Sequence, residues 1–525
     1  MISLKEYMNR KLKRNLSASI IAIAAVIYIG YKIEFDAVRI IRGIPSMMDL
    51  FARMLKPNLS YGGEVFEKIY ETVEIAILSS LAGVAAAIPF ALLTAENISP
   101  NRFLSKVLNS IFAFFRTIPS LIWAAVLVSV FSIGKFSGII ALTIIAFLMS
   151  LKLFREYIES INKNQLDSTR SVGATSIEVL RYCVLPSMLG MAISVFFIVF
   201  ETNIRSATIL GLVGAGGIGQ IMWRDLNHLR YDNLATLILA LFLTILSIDL
   251  ISLWIRSYLD KRSIAFDSIY KYRLYKIRKS VAIPVLFLVI LSVIASSLNI
   301  TMERLLIGYE QGKTIVTRMM DPDISYLPKL FKGIGESFFI ALFATFTGGI
   351  FALILSYFTA FNVGPSKRLS LVLKGFVNIL RTFPPIIVAI IFFRGVGPGP
   401  LAGGLALSIY TTGVLTKMYS EVLESTPKSI GESVLVTGAT RFEAYRHGIF
   451  PQTFGNFISL LLYRMESNIR NSTILGIIGA GGIGTIISMN INWRNWERVG
   501  LLLLGVSIMI IIVDRISNFI RERIN

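Results

Sequence analysis

Two charged pairs stand inside otherwise apolar sequence, and each pair precedes a run of glycines. Glu201 and Arg205 lie four residues apart in the segment ETNIRSATILGLVGAGGIG, which begins at residue 201. Glu466 and Arg470 repeat this spacing in ESNIRNSTILGIIGAGGIG, so the two copies are offset by 466 − 201 = 265 residues. In a helix this spacing places the acid and the base on one face. Such a pair can contact a charged solute, or it can neutralise itself and lock a bend in the helix.

The setting of these residues is a membrane. The chain has 525 residues, of which 54% are hydrophobic and 16% are charged, and its mean hydropathy is +0.68. Long apolar runs recur throughout, which is typical of a polytopic membrane protein whose spans are helices. The net charge of +20 indicates basic residues retained on the cytoplasmic side of a cell membrane, with the lipid bilayer and not nucleic acid as the partner.

Several classes of chemistry are disfavoured by what the sequence contains. Cys183 is the only cysteine, and His228 and His447 are the only histidines, so no metal-binding cluster is expected. No phosphate-binding Gly-x4-Gly-Lys-Ser/Thr loop is present, so we expect no cofactor in this chain and no ATPase site. A membrane-embedded enzyme has no support, and we predict a transport protein that is not itself an enzyme.

A second duplicated feature places arginine at membrane depth. Arg116 is followed by Pro119, and Arg381 is followed by Pro384, again 265 residues apart. We predict Arg116 near the middle of a span that Pro119 kinks one turn later. Arginine at that depth costs several kcal/mol unless it faces protein or water. We therefore predict a central pathway with a positive potential suited to an oxyanion, lined by Arg116, Arg381, Glu201, Arg205, Glu466 and Arg470.

The glycine runs suggest a second part of that pathway. Gly214 to Gly219 formally matches the dinucleotide fingerprint Gly-x-Gly-x-x-Gly, but no strand precedes it and the setting is intramembrane. Close helix approach or a flexible outer gate is the better interpretation. The predicted gate residues are Gly214, Gly216, Gly217, Gly479, Gly481 and Gly482.

The whole chain is a tandem duplication. The 265-residue offset also relates Glu71 to Glu336 and Pro186 to Pro451. We predict an all-α integral membrane protein with about twelve transmembrane helices in two six-helix repeats, residues 1–265 and 266–525. The predicted spans are 16–33, 70–95, 107–133, 136–154, 187–213, 233–256, 281–300, 335–360, 372–395, 401–419, 452–478 and 498–516.

Basic residues at both termini and near the junction predict that the N- and C-termini are cytoplasmic and that the two repeats are parallel. Segments 34–69 and 301–334 would then lie outside. Their apolar residues follow helical spacing, as in Val38, Ile41 and Ile44. We interpret these segments as interfacial helices on the outer face.

Two polar loops on the predicted cytoplasmic side carry a shared layout. Residues 155–182 and 417–446 each contain Gly-Ala-Thr, a short amphipathic segment and then a proline at the foot of the next span. In the first copy we predict Ile177, Leu180 and Val184 on one face. A helix this short is marginal alone and needs a surface to dock on.

These loops resemble the coupling loop of ATP-binding-cassette importer permeases, Glu-Ala-Ala-x3-Gly-x9-Ile-x-Leu-Pro, with Asp167 and Glu432 at the position of the family's glutamate. The segments beginning at Glu201 and Glu466, and Arg-Thr-Ile-Pro at 116–119, look like the signature of the phosphonate-transporter permease branch, here fused as two copies. The residues that the resemblance assigns to ATPase coupling are Asp167, Gly173, Ala174, Glu178, Pro186, Glu432, Gly438, Ala439, Glu443 and Pro451.

The resemblance implies the type I importer permease fold and a division of labour. Two ATPase subunits would bind ATP and dock on the coupling loops, and an extracytoplasmic binding protein would deliver phosphonate or a related phosphorus oxyanion. Another anionic ligand such as thiamine pyrophosphate would suit the same arginines. A secondary transporter built from parallel six-helix halves is a further alternative, which the duplicated loop disfavours.

Overall fold

The computed structural model describes residues 27–54, 56–99, 101–260, 292 and 302–524, and within these ranges the chain forms helices and turns with no strand. The helices of eight residues or more are numbered in chain order, and shorter helical turns lie between them at the two predicted coupling loops. In the first part of the chain they are α1 (Ala37–Met54), α2 (Gly62–Thr94), α3 (Arg102–Thr117), α4 (Ser120–Phe131), α5 (Lys135–Glu159), α6 (Lys163–Ser171, nine residues), α7 (Leu185–Gly211), α8 (Ile218–Asn227), α9 (Tyr231–Asp260) and α10 (Met302–Met319).

In the second part they are α11 (Leu327–Thr359), α12 (Lys367–Thr382), α13 (Pro385–Val396), α14 (Pro400–Ser425), α15 (Lys428–Leu435), α16 (Phe450–Ile477), α17 (Ile483–Asn492) and α18 (Trp496–Ile524). The order repeats: α2 to α9 correspond one by one to α11 to α18. The predicted all-α fold is therefore confirmed, and the duplication extends to each element.

Among the described residues, six helices are long and apolar enough to cross a bilayer, and the number is eight if each of two bent helix pairs counts as one span. Predicted spans 401–419 and 452–478 coincide with α14 and α16, which carry more polar residues. Of the predicted span 16–33 only residues 27–33 are described, and span 281–300 lies outside the described residues except for residue 292.

Predicted spans 107–133 and 372–395 are not straight. The first is α3 followed by α4, with a bend of 86°, and the second is α12 followed by α13, with a bend of 84°. Ile118 and Phe383, which precede the prolines, have extended ψ angles of 120° and 125°. A residue before proline is excluded from the helical region by a steric clash, and proline lacks the N–H that a continuous helix needs. The predicted kink is thus a full break.

The chain divides into two compact units. The first-repeat unit comprises the described residues of Ala52–Met320, and the second-repeat unit combines the described residues of Met1–Phe51 with those of Asp321–Asn525. The predicted repeat boundary near residue 265 lies outside the described residues, and it stays a prediction.

Each unit contains an arm helix that belongs to the other repeat in sequence. Helix α1, through Phe51, lies in the second-repeat unit, and α10 lies in the first-repeat unit. Gly43 of α1 packs so closely that a Cβ there would lie 2.5 Å from the carbonyl oxygen of Gly395. A Cβ at its counterpart Gly308 of α10 would overlap the ring of Phe131. Val38, Ile41 and Ile44 are exposed along α1. The helices predicted in segments 34–69 and 301–334 therefore exist, and their place on the outer face stays a prediction.

Inside each unit one long helix packs along two others: α2 along α5 and α7, and α11 along α14 and α16. The closest crossings occur at counterpart glycines. A Cβ at Gly83 would overlap Ala146, and a Cβ at Gly348 would lie 2.8 Å from Cβ of Thr411. Small residues allow helix backbones to approach in this way. These crossings hold α7 and α16, which carry the charged pairs, against the core of each unit.

Candidate functional site

The two charged pairs form ion pairs within single helices. In α7, Nη2 of Arg205 donates to Oε1 of Glu201 and lies 4.0 Å from Oδ2 of Asp249. In α16, Nη2 of Arg470 donates to Oε1 of Glu466 at 2.6 Å. The prediction that each acid and base share one helix face is confirmed. Because each pair is neutral overall, the pairs by themselves supply little net positive potential.

Between the acid and the base of each motif stands a buried asparagine that ties the helix to its neighbours. Nδ2 of Asn203 donates to the hydroxyls of Ser79 and Ser80 at 3.0 and 2.9 Å. Nδ2 of Asn468 donates to Oγ1 of Thr345 and of Thr411, both at 2.9 Å. An amide buried without partners is costly, so these hydrogen bonds fix the rotation of α7 and α16 and hence the direction of each ion pair.

The glycine runs are tight turns that reverse the chain between α7 and α8 and between α16 and α17. Gly214, Gly216 and Gly217 have φ angles of 89°, 83° and 74°, and Gly479, Gly481 and Gly482 have 97°, 77° and 77°. Only glycine adopts this region at little cost. A Cβ at Gly219 would overlap the carbonyl oxygen of Thr208. The predicted close helix approach is confirmed, and opening as a gate stays a prediction.

Each glycine turn is held by a carboxylate on the first long helix of its repeat. Oε1 of Glu71 accepts from the backbone N–H of Gly217 at 3.0 Å, and Oε2 of Glu336 accepts from that of Gly482 at 3.0 Å. The next N–H groups donate to Thr72 and Ser337, at 2.7 and 2.9 Å. Sequence reasoning matched Glu71 with Glu336 but gave them no role. The sequence feature that could have indicated this role is an acid at the start of an apolar span that occurs in both repeats.

Arg116 and Arg381 lie in the last turn of α3 and α12, immediately before the 86° and 84° breaks. Predicted span 107–133 is therefore interrupted close to Arg116, where a kink at Pro119 was predicted, and the place of Arg116 at the middle of the membrane stays a prediction. The prolines after these arginines force the break for the reasons given above. Nε of Arg381 is buried and has no hydrogen-bond partner among the described residues.

Arg116 lines a cavity of about 120 Å³ between α3 and α5. Its wall contains three cations, one amide and four apolar residues, namely Arg116, Lys152, Arg155, Asn109, Phe112, Ala113, Leu148 and Leu151. Nη1 of Arg155 donates to Oδ1 of Asn109 at 2.9 Å. No carboxylate belongs to this wall. Just outside the wall, Glu156 lies 3.6 Å from Nζ of Lys152 and Glu159 lies 3.8 Å from Nε of Arg155. The cavity therefore combines cationic side chains, two of them partly neutralised, with a size that fits a small anion.

The coupling-loop residues form two matching turns. Gly173 and Gly438 have φ angles of 86° and 85°, which lets the chain turn at Ala174 and Ala439 into the next short helix. Pro186 and Pro451 occupy the first turn of α7 and α16, where a missing N–H costs nothing. Oδ1 of Asp167 lies 3.6 Å from Nη1 of Arg170. The backbone carbonyl of Glu432 accepts a hydrogen bond from the backbone N–H of Val436. The predicted layout of glycine, short helix and proline is confirmed.

Glu178 and Glu443 close capping boxes on their own helices. Oε2 of Glu178 accepts from the backbone N–H and the hydroxyl of Thr175 at 2.7 and 2.8 Å. Oε2 of Glu443 does the same with Thr440, at the same distances. The hydrogen bond from the threonine N–H is the main cause that lowers the pKa of both carboxyls below its usual value. Both side chains are therefore occupied in shaping the loop.

One detail of the loop prediction is wrong. Val184 is buried and Leu180 is partly buried against the core of its unit, but Ile177 is 76% exposed. Residues 180–184 form a π-helical turn, which has more residues per turn than an α-helix and so rotates Ile177 away from that face. Its counterpart Phe442 is also exposed. Each loop therefore presents an apolar side chain outward.

Sequence reasoning also missed Arg464, which lies on the buried face of α16. Only 6% of the residue is exposed, and its guanidinium carbon lies 4.7 Å from the ring centroid of Tyr410 on α14. The counterpart position in the first repeat is Val199, since 464 − 199 = 265. The signal was an arginine within an apolar run, but a comparison of the repeats favours features that occur twice.

Comparisons with known proteins agree with this architecture. The family model for the binding-protein-dependent transport system inner membrane component matches residues 87–264 and 352–525, which start 352 − 87 = 265 residues apart. The phosphate-import permease protein PhnE of Mycolicibacterium smegmatis is 27% identical over 504 residues, covering 95% of this chain and 93% of that protein.

Shorter relatives match about half of the chain or less. The putative phosphite transport system permease protein HtxC of Stutzerimonas stutzeri is 30% identical over 244 residues, covering 46% of this chain and 86% of that protein. The putative cryptic phosphonate transport system permease protein PhnE2 of Escherichia coli is 36% identical over 118 residues, covering 22% of this chain and 97% of that protein. The chain therefore belongs to the inner membrane component family of binding-protein-dependent transport systems, as a tandem fusion of two family domains.

Proposed function

We propose that this protein is the membrane permease of an ATP-driven importer for phosphate, phosphonate or a related phosphorus oxyanion. The observation that carries the proposal is the cavity at Arg116, whose wall holds three cations and no carboxylate. The names of the relatives from Mycolicibacterium, Stutzerimonas and Escherichia, which refer to phosphate, phosphite and phosphonate, support the same substrate class. In the second repeat its counterpart Arg381, whose buried Nε has no hydrogen-bond partner among the described residues, would contact the anion in the same way.

In this proposal the energy comes from separate subunits. Two ATP-binding-cassette ATPases bind ATP and dock on the coupling loops, where Ile177 and Phe442 offer exposed apolar side chains. An extracytoplasmic binding protein delivers the ligand to the opposite face, and this chain binds no cofactor. Both termini are cytoplasmic, as the basic residues near them favour. The ion pairs of α7 and α16 and the two glycine turns lie along the path of the anion.

The test is uptake into proteoliposomes that contain the protein with its cognate ATPase and loaded binding protein. Labelled phosphate, phosphite and methylphosphonate should accumulate only when ATP is present. A variant with Arg116→Gln and Arg381→Gln should reduce that uptake about tenfold or more, because a hydrogen bond to a charged group contributes roughly 1.5–3 kcal/mol.

The matched control is Arg102→Gln with Lys367→Gln, two counterpart cations at the exposed start of the same helices α3 and α12. This variant should keep wild-type uptake. ATP-independent uptake by the wild type, or undiminished uptake by a well-folded Arg116→Gln/Arg381→Gln variant, would contradict the proposal.

A further inference from the structure

Arg464 carries a charge into the packed interior of the second-repeat unit. It lies on the face of α16 that also buries Phe457 and Asn468, which are 2% and 0% exposed. Burying an arginine away from water is costly unless its donors find acceptors. Arg464 therefore carries a free-energy cost of burial that the apolar side chain of its counterpart, Val199, does not carry.

The surroundings of Arg464 satisfy only part of the guanidinium. The ring of Tyr410 covers one face at 4.7 Å, an arrangement that is favourable for a cation. Nε and Nη2, however, are inaccessible to solvent and have no hydrogen-bond partner within the described ranges. Glu466, the nearest acid in sequence, already accepts from Arg470 at 2.6 Å. No described carboxylate forms an ion pair with Arg464.

The two unpartnered nitrogens share one edge of the guanidinium. The N–H groups of Nε and Nη2 on that edge point in the same direction, and they match two oxygens of a phosphate or carboxylate as parallel hydrogen bonds. Arg155, which connects α5 to α3, donates to Oδ1 of Asn109 through Nη1 and, of its buried nitrogens, leaves only Nε without a partner among the described residues. Arg464 leaves both nitrogens of this edge without a partner. The two donors of Arg464 that have no partner, Nε and Nη2, are a pair that arginine uses for bidentate hydrogen bonds to an oxyanion.

This feature is confined to one repeat. The counterpart of Arg464 is Val199, and the counterpart of Tyr410 is Ile145, since 410 − 145 = 265. The ion pairs, the buried asparagines and the glycine turns all occur twice, so they cannot distinguish the two halves. Arg464 and Tyr410 do distinguish them, and a single anion in transit needs only one such contact.

We propose that the Nε and Nη2 edge of Arg464 is a bidentate contact for the tetrahedral phosphorus oxyanion during its passage, supplied by the second repeat alone. This inference rests on the proposed function. In the structure these donors are closed to solvent beside Tyr410, so the contact requires the anion to gain access to this edge, where it would exchange two unpartnered donors for two charge-assisted hydrogen bonds. A quaternary ammonium substrate would be repelled at the same place.

The test compares Arg464→Met and Arg464→Lys with Val199→Met, the same side chain introduced at the counterpart position. Uptake of labelled phosphate and methylphosphonate is measured together with ATP hydrolysis, using saturating loaded binding protein. Arg464→Met should lose about tenfold or more of the uptake and transport fewer anions per ATP hydrolysed, while basal hydrolysis is retained. Arg464→Lys keeps the charge but not the bidentate edge, so it should recover uptake only in part. Val199→Met should resemble the wild type.

A purely structural role predicts a different pattern, in which the melting temperature and basal hydrolysis fall together with uptake and the anions transported per ATP stay constant. That result, or wild-type uptake by Arg464→Met, overturns the inference while leaving the proposed function intact. If Arg464→Met does not assemble, Arg464→Lys decides, and a wild-type ratio of anions to ATP in that variant overturns the inference. If the wild-type protein transports no phosphorus oxyanion, the proposed function fails, and this inference fails with it.

Discussion

At the scale of single residues, many charged side chains of the site form hydrogen bonds with the backbone. Fewer of them have donors left that could contact a solute. Glu71 and Glu336 accept hydrogen bonds from Gly217 and Gly482, so these acids act on the shape of the glycine turns. Glu178 and Glu443 act on their own helix ends in the same way. Within the described residues, buried guanidinium donors without a partner remain instead on Arg155, Arg205, Arg381 and Arg464. Charge alone is therefore a poor guide to which residue meets a ligand.

The turn at Gly482 should tolerate no side chain. Gly482 has a φ of 77°, and a Cβ there would overlap the hydroxyl of Ser337. Gly482→Ala should lower the free energy of unfolding by about 1–2 kcal/mol through backbone strain alone, and more if the hydrogen bonds of the turn are lost. The melting temperature of the purified protein in detergent measures this effect.

Gly375 provides the matched control, since it lies within α12 and a Cβ there would meet nothing within 4 Å. Gly375→Ala should leave the melting temperature unchanged or raise it, because alanine favours helix over glycine. Equal melting temperatures for the two variants would show that the turn is not under the constraint described.

At the scale of elements, the two coupling loops owe their shape to the capping boxes. Because the pKa of Glu443 is lowered in the folded loop, the stabilisation by the cap is present in full above the unfolded pKa of about 4.3. It is lost as the pH falls through the lower, folded pKa. The loop should therefore keep its structure from neutral pH down to mildly acidic pH.

Hydrogen exchange at the amide of Thr440, corrected for the intrinsic rate, measures this directly. Protection should be constant from about pH 7 to pH 5 and should fall below about pH 4. Glu443→Ala should remove the protection already at neutral pH. Glu421→Ala should leave the protection of Thr440 unchanged, because it breaks only a 3.7 Å ion pair with Lys417 on the surface of α14. Constant protection in Glu443→Ala would exclude the capping role.

Much of the element structure could be predicted from the sequence, because it depends on apolar runs and on the 265-residue offset. The glycine, short helix and proline of the coupling loops followed from local chemistry. The 84° and 86° breaks were underestimated, because a proline in an apolar run predicts a kink but tertiary packing sets its angle. The partners of Glu71 and Arg464 depend on contacts between distant segments, which no local pattern reveals.

At the scale of the whole molecule, the compact units and the sequence repeats do not have the same membership. Arm helix α1 belongs to the first sequence repeat but lies in the second-repeat unit, and α10 belongs to the second sequence repeat but lies in the first-repeat unit. Gly43 and Gly308 pack against Gly395 and Phe131 with no room for a side chain. Each unit is therefore complete only when both halves of the chain are present.

Fragments 1–265 and 266–525 should accordingly be unstable when each is expressed alone and should copurify when expressed together. A fragment of residues 1–320 retains α10 and thus the whole described first-repeat unit, so it should be more soluble and more stable in detergent than fragment 1–265. Size-exclusion profiles and melting temperatures of the fragments check this. A monodisperse fragment 1–265 with the melting temperature of fragment 1–320 would show that the arm contributes nothing.

The guanidinium of Arg464, which has no counterpart in the first repeat, has a consequence for how such a chain diverges. Were the two domains encoded by one gene and assembled as identical copies, any substitution would arise in both copies at once. Covalent fusion removes that obligation, so Arg464 can face Tyr410 while the counterpart positions hold the apolar residues Val199 and Ile145. The same freedom is visible where Lys374 pairs with Glu424 at 2.7 Å and its counterpart Asn109 accepts from Arg155. Linking two equal halves is what permits them to become unequal.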